Sequence, residues 1–295
     1  MQNRRQHQQE VLAFLQKHFS CRSWKFTLPK GYGNETYLAH GNEHVYFVKL
    51  GVQIPRYQAM LSIGLIPQVL AAGHLADGTS IIVHPYLVGR TPSRKDYRNH
   101  LEKIASMINR MHHSSEVRRV LPEASSDHFN IVGAEVLTSI QQRWKYFRAQ
   151  VPKEADFVDK SLDYLEQQVR DFQGTGLVAS HNDICNANWL ITPDGSLYLL
   201  DLESMSLDDP AFDIGATLWW YYPPGLRRRF LEIVEHANDR AFETRMQVRM
   251  AMHCLNITLP RQASFDEFDP ASFAEDLIDF RAALAGEENP QGYDV

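Results

Sequence analysis

Apolar positions run in short strand-like bursts through the first ninety residues and recur at helical spacing after them. Residues 10–19 place Val11, Leu12, Phe14, Leu15 and Phe19 at helical intervals and predict a short amphipathic helix. Strands are predicted at 24–28, 36–40 and 43–50, the last two joined by Gly41-Asn42, a pair suited to a tight hairpin turn. A helix is predicted over 53–63, where Pro55 limits the start. Segments 68–72 and 80–86 read as strands around a turn at Asp77-Gly78. Residues 87–92 are turn-rich and read as a hinge. Helical spacing then takes over at 95–113, 134–147 and 155–172. A strand at 177–180 leads into a polar run, and 189–192 with 197–200 forms a second hairpin around Pro193-Asp194-Gly195. The rest is mostly helical and ends in an acidic tail predicted to fray. The expected architecture is α+β and bilobal, with a cleft between the lobes. A small antiparallel-sheet lobe spans 1–88 and a larger, mostly helical lobe spans 89–295.

Composition narrows the class. A chain of 295 residues with 44% hydrophobic and 22% charged residues is long enough for one large domain or two lobes, each with a core. A net charge of −6 gives no support to a nucleic-acid partner. The charge is uneven. From Asp201 onward 18 Asp and Glu face 8 Arg and no Lys, which suits an N-terminal part tolerant of phosphates and a C-terminal part tolerant of cations. Cys21, Cys185 and Cys254 are far apart and form no CxxC pair, so neither a disulfide framework nor a zinc site is expected. The first ten residues lack a signal-peptide apolar core, and no apolar run approaches a membrane span. The expectation is a cytoplasmic protein without a membrane partner.

The chemistry concentrates at 181–188, His-Asn-Asp-Ile-Cys-Asn-Ala-Asn, which has the form HxDxxxxN. A predicted strand precedes it. A predicted hairpin follows and ends at Asp201-Leu202-Glu203, so Asp201 lies 18 residues after Asp183. This spacing suits phosphoryl transfer, where positioning and charge neutralisation do most of the catalysis. Asp183 suits the carboxylate that orients an attacking hydroxyl and takes its proton. Asn188 and Asp201 offer the hard oxygen ligands that Mg2+ prefers.

The set HxDxxxxN, hairpin and Asp resembles the catalytic loop and metal Asp of the protein-kinase-like fold. In its His-Asn-Asp form it resembles the aminoglycoside phosphotransferase and choline kinase family. Asp209-Pro210-Ala211-Phe212-Asp213 resembles a DPxxD segment that recurs there. The resemblance covers roughly residues 30–220. It implies an ATP-dependent phosphotransferase acting on a hydroxyl of a small molecule: an aminoglycoside, choline, ethanolamine or a similar metabolite. Asp183 corresponds to the base, and Asn188 and Asp201 to the Mg2+ ligands. His181 and Asp213 correspond to residues that brace the loop. Lys49, in the apolar run 45–50, corresponds to the strand lysine that meets ATP phosphates. Gly31, Gly33 and Asn34 fall where the family's nucleotide loop lies, and His84 and Tyr86 fall in the segment that reads adenine. Met111-His112 resembles a structural Leu-His pair. Glu203 could touch metal or substrate, or face solvent. Trp219 and Trp220 belong to an aromatic run that makes a cationic alcohol attractive, with core packing as the plainer reading. Asp208, Asp209 and the acidic residues 266–269 could serve an amine-rich substrate or lie on the surface.

One feature departs from the resemblance. The family pairs its strand lysine with a Glu on the next helix, yet residues 50–63 hold no Asp or Glu. Either a residue from elsewhere pairs with Lys49 or ATP alone positions it. The gap also motivates a rival expectation, a nucleotide-binding pseudokinase with a regulatory or scaffolding role.

Overall fold

The computed structural model describes residues 2–21, 23–28, 36–42, 44–260 and 269–293, with side chains from residue 7. Contacts divide the chain into two compact units, one of Met1–Thr91 with Ala187–Glu203, the other of Pro92–Asn186 with Ser204–Val295. Gly31, Gly33 and Asn34 lie outside the described residues.

The first unit opens with α1 (Gln2–His18), longer than its periodic core predicts. Strands β1 (Lys25–Thr27), β2 (Thr36–His40), β3 (Val45–Leu50), β4 (Ala71–His74) and β5 (Ser80–Pro85) form one antiparallel sheet in the order β1-β2-β3-β5-β4. The register pairs Tyr37 with Val48 and Val48 with Val83, and Leu50 with Ile81. These residues share a face and pack with Val11 and Leu15 of α1. Both helix side chains are fully buried, worth about 1.5–3 kcal/mol each. Strand alternation sends Lys49 and its partners Thr36 and Ile82 to the opposite face. Helix α2 (Ile54–Ser62) carries Pro55 in its first turn, where a missing N–H costs no hydrogen bond.

The second unit begins with two consecutive helices. The single helix expected at 95–113 is two, α3 (Arg94–Asn99) and α4 (Leu101–His112), because His100 leaves helical geometry at φ −111°, ψ 21°. Ser93 and Asp96 start α3 with a reciprocal capping box. There follow α5 (Ser115–Arg119), α6 (Phe129–Phe147), α7 (Pro152–Arg170) and β6 (Val178–Ser180). The predicted hairpin, β7 (Trp189–Ile191) and β8 (Leu197–Leu199), comes next. Then β9 (Ser206–Asp208) pairs antiparallel with β6 and leads into α8 (Pro210–Tyr221), α9 (Pro224–Ile233), α10 (Arg240–Thr258) and α11 (Pro270–Ala285). Helix α10 packs against α6, α7, α8 and α11.

The hairpin β7–β8 belongs to the first unit, whereas a single cut near residue 88 assigns it to the second. Backbone bonds explain the placement. Arg90 and Ile191 exchange N–H···O bonds of 3.0 and 2.9 Å, and the Leu199 amide donates to the Leu65 carbonyl at 2.8 Å. Gly89 is needed there, since a Cβ would come within 2.7 Å of the Ile191 carbonyl. No helix among the described residues is long and apolar enough to cross a membrane.

Candidate active site

In the second unit, the loop after β6 is fixed by α8. Asp209 caps that helix, its side chain accepting from the Ala211 amide, and Pro210 fills the first turn. Asp213 then projects one turn further on. Its carboxylate, 0% exposed, accepts from the backbone amides of His181 at 2.8 Å and Asn182 at 3.0 Å. The His112 ring nitrogen stands 3.1 Å away as a third partner. Burial, the largest single influence, pushes the Asp213 carboxyl up. The His112 hydrogen bond and charge, the nearby His181 and the His181 amide outweigh it and hold the carboxyl below its ordinary value. His181 itself is buried.

The middle residue of the motif, Asn182, takes the left-handed conformation at φ 61°, which Asn tolerates better than most side chains. Its amide ties the two short strands together. Oδ1 accepts from the Ser180 hydroxyl at 2.9 Å and Nδ2 donates to the Ser206 hydroxyl at 2.7 Å. The loop is also held at its far end, where the Asn186 amide donates to the Tyr221 hydroxyl at 2.7 Å. Tyr221 stacks flat on Tyr97, with ring centres 4.0 Å apart, and burial pushes its phenol up to about 12. Between these anchors Asp183 is exposed. Neither Asn182 nor Tyr221 figured as a site residue in the sequence. A polar residue inside HxD that tolerates positive φ was the one available signal.

In the first unit, Asn188 and Asp201 stand at the open end of the β7–β8 hairpin. The Leu200 amide donates to the Asn188 carbonyl at 2.7 Å, adding one rung beyond the strands. Asp201 follows at φ 56°, in the left-handed region that Asp, like Asn, enters more readily than most side chains. Lys49 lies on the sheet face opposite α1, and its ammonium donates to Asp201 Oδ1 at 2.7 Å and to Glu203 Oε2 at 2.6 Å. The Tyr57 hydroxyl on α2 stands 3.4 Å from the ammonium and donates to Glu203 Oε1 at 3.0 Å. Arg56 donates to the carbonyls of Leu202 at 2.5 Å and Glu203 at 2.9 Å. Burial, then Glu203, pushes the Tyr57 phenol up, which keeps it a donor. Burial, then the neighbouring Asp201, also pushes the Glu203 carboxyl up, while Lys49 pulls it down.

No three His, Cys, Asp or Glu side chains among the described residues could hold a metal ion between them. A cation on Asn188 and Asp201 therefore needs phosphate and water to complete its shell. Mg2+ arriving with a nucleotide brings both, so the donor set fits that ion and not a permanent structural one.

The other expected site residues, His84 beside Tyr57 excepted, lie apart from these two groups. The His84 ring is buried, bonds the Gln68 carbonyl at 2.9 Å and packs 5.9 Å from the Tyr57 ring, so its side chain is part of the unit's core. Tyr86 is exposed, and its amide donates to the Val45 carbonyl at 2.9 Å. Trp219 is buried, set edge-on to the half-buried Trp220 at 4.7 Å, and donates to the Glu287 carbonyl. Trp219 lines a cavity of about 370 Å³ whose charged lining is mixed, Arg227 and Arg228 with Glu243 and Glu287. Asp208 and Asp209 are not free for an amine. They pair with Arg249 at 2.6 Å and Arg245 at 2.8 Å, buried side chains one turn apart on α10. Residues 266–268 lie outside the described residues, and Asp269 caps α11.

Comparison with known proteins bears on the fold and the family. Among solved structures, choline kinase LicA from Streptococcus pneumoniae is similar at a TM-score of 0.63 and 18% identity, covering 93% of this chain and 98% of that one. Spectinomycin phosphotransferase APH(9)-Ia, solved with ADP and spectinomycin, is similar at 0.61 and 14%, covering 94% and 96%. Aminoglycoside 2'-phosphotransferase-IIIa, solved with GDP, is similar at 0.64 and 12%, covering 96% and 99%. At these identities the likeness is one of fold, the bilobal protein-kinase-like α+β fold. The sequence model of the phosphotransferase enzyme family matches residues 27–250, three-quarters of the chain. On that match, the chain belongs to the phosphotransferase enzyme family.

Proposed function

We propose that this protein transfers the γ-phosphoryl group of ATP to a hydroxyl of a small molecule. The observation that carries the reading is the 2.7 Å contact between Lys49 and Asp201, residues 152 positions apart. It sets a cation suited to phosphate oxygens against a carboxylate suited to Mg2+, the two charges a nucleotide triphosphate needs. The names of the similar structures support nucleotide binding, since they include complexes with AMP, ADP and GDP.

Each residue has a defined task. Lys49 binds the phosphates, and Asn188 and Asp201 hold Mg2+, which neutralises charge on the phosphate oxygens when bound. Asp183, exposed on a loop braced by Asp213, Asn182 and Tyr221, accepts the proton of the acceptor hydroxyl as its oxygen bonds the γ-phosphorus and ADP leaves. The pseudokinase reading drew on the lack of a partner for Lys49. Glu203 supplies one, and that reading loses its motive.

The test is ADP production from Mg-ATP by the purified protein with choline, ethanolamine, aminoglycosides, thiamine and sugar alcohols in turn. Asp183→Asn should abolish acceptor-stimulated ADP release and retain nucleotide binding. Undiminished turnover in that variant would overturn the assignment.

A further inference from the structure

Taking Lys49 as the phosphate contact proposed above, we infer that Glu203, anchored by Tyr57, is the carboxylate that positions Lys49 for the nucleotide. Helix α2 offers no carboxylate. Its sequence is IPRYQAMLS, and the positions facing the site carry Arg56 and Tyr57. The helix instead supplies donors, and the negative charge comes from the turn after Asp201.

The two carboxylates on Lys49 are held differently. Glu203 has one oxygen on Lys49 and the other on the Tyr57 hydroxyl, while Arg56 grips the backbone of its turn through two carbonyls. Asp201 touches the same ammonium, but its side chain is 53% exposed, and it is the residue that a nucleotide-bound cation would take. Lys49 carries a long flexible stem and needs a fixed counter-ion to present its head group in one place. Once a cation engages Asp201, Glu203 is the partner that stays. Glu203 is therefore a positioning residue that acts through Lys49 and need not touch the cation.

Metal-free ADP binding separates this role from the alternatives. ADP affinity is measured by calorimetry in EDTA for the wild type, Glu203→Gln and Tyr57→Phe, with melting temperatures to establish folding. If Glu203 positions Lys49, Glu203→Gln weakens ADP by about tenfold and Tyr57→Phe by about threefold. A metal ligand would leave affinity in EDTA unchanged. Loss of a negative charge acting only through the field would tighten the binding of an anion. In turnover the loss should fall on kcat/KM for the nucleotide and leave the acceptor KM in place, a split that a merely structural residue would not produce. Equal or tighter ADP binding by Glu203→Gln overturns the inference while the phosphotransferase reading stands. Unchanged binding by Tyr57→Phe removes the anchor and overturns it in part. A wild type that binds no ADP would remove the nucleotide reading and this inference with it.

Discussion

Two groups of carboxylates, one in each unit, are held in opposite ways. Asp213 in the second unit is fully buried, with two backbone amides and an imidazole fixed on it. Asp201 and Glu203 in the first unit have side chains 53% and 41% exposed and share one flexible ammonium. The first arrangement suits a brace, because every donor is backbone or packed ring and nothing needs to move. The second suits exchange at Asp201, the more exposed of the two, because a surface pair of charges is worth little by itself and can be released to a ligand, while Glu203 stays on the Tyr57 hydroxyl. A motif that reads as a row of Asp residues thus contains permanent and replaceable charges, and burial tells them apart.

The largest effect should come from the brace. Asp213→Ala strands two buried amides and a histidine, and should lower unfolding stability by about 3–5 kcal/mol in urea titrations. A loss near zero would erase the contrast. The buried pairs of α10 come next. Arg249→Met leaves Asp208 uncompensated, a cost of about 3 kcal/mol in the same measurement.

A third effect is visible in pH. Burial holds the His253 imidazole down to about 4, against the opposing charge of Asp183 and with help from Arg249. Above its ordinary value of about 6.5 the ring is neutral folded or unfolded and its contribution to stability is complete. Between pH 6.5 and 4 the unfolded chain binds a proton that the folded protein refuses, so stability falls as pH falls, by up to about 3 kcal/mol. His253→Gln should remove that share of the acid-side slope. Equal slopes in the two proteins would show that His253 is reached by solvent.

The smallest effect should come from the exchangeable group. Lys49→Met should change stability by about 1 kcal/mol or less, since both partners are partly exposed, and yet abolish ADP binding. A large stability loss would make Lys49 a structural ion-pair residue and blur the comparison.

What the sequence disclosed follows the same division. The DPxxD segment is legible because its parts are local: a cap, a proline at the first turn and an Asp one turn on. The hairpin around Pro193-Asp194-Gly195 is legible through turn chemistry. The partner of Lys49 was not, because it lies 154 positions away and no local pattern shows that residue 203 folds back onto the strand. The break at His100 escaped because apolar spacing runs through it unchanged. The pairing of Asp208 and Asp209 with arginines one turn apart on α10 is complementary in charge, but spacing within a sequence does not say that two distant segments meet.

The grip of Arg56 on Leu202 and Glu203 bears on how the protein is made. These contacts join residues 146 and 147 positions apart. A ribosome that has delivered the five-stranded sheet has not yet delivered the hairpin and turn that complete its unit. Synthesis proceeds at about 5–20 residues per second, so the segment from 92 to 186 emerges over several seconds before residue 203 arrives. During that interval the nascent sheet carries Lys49 without either of its carboxylates, and the long separation in sequence makes closure of the unit a late event in folding.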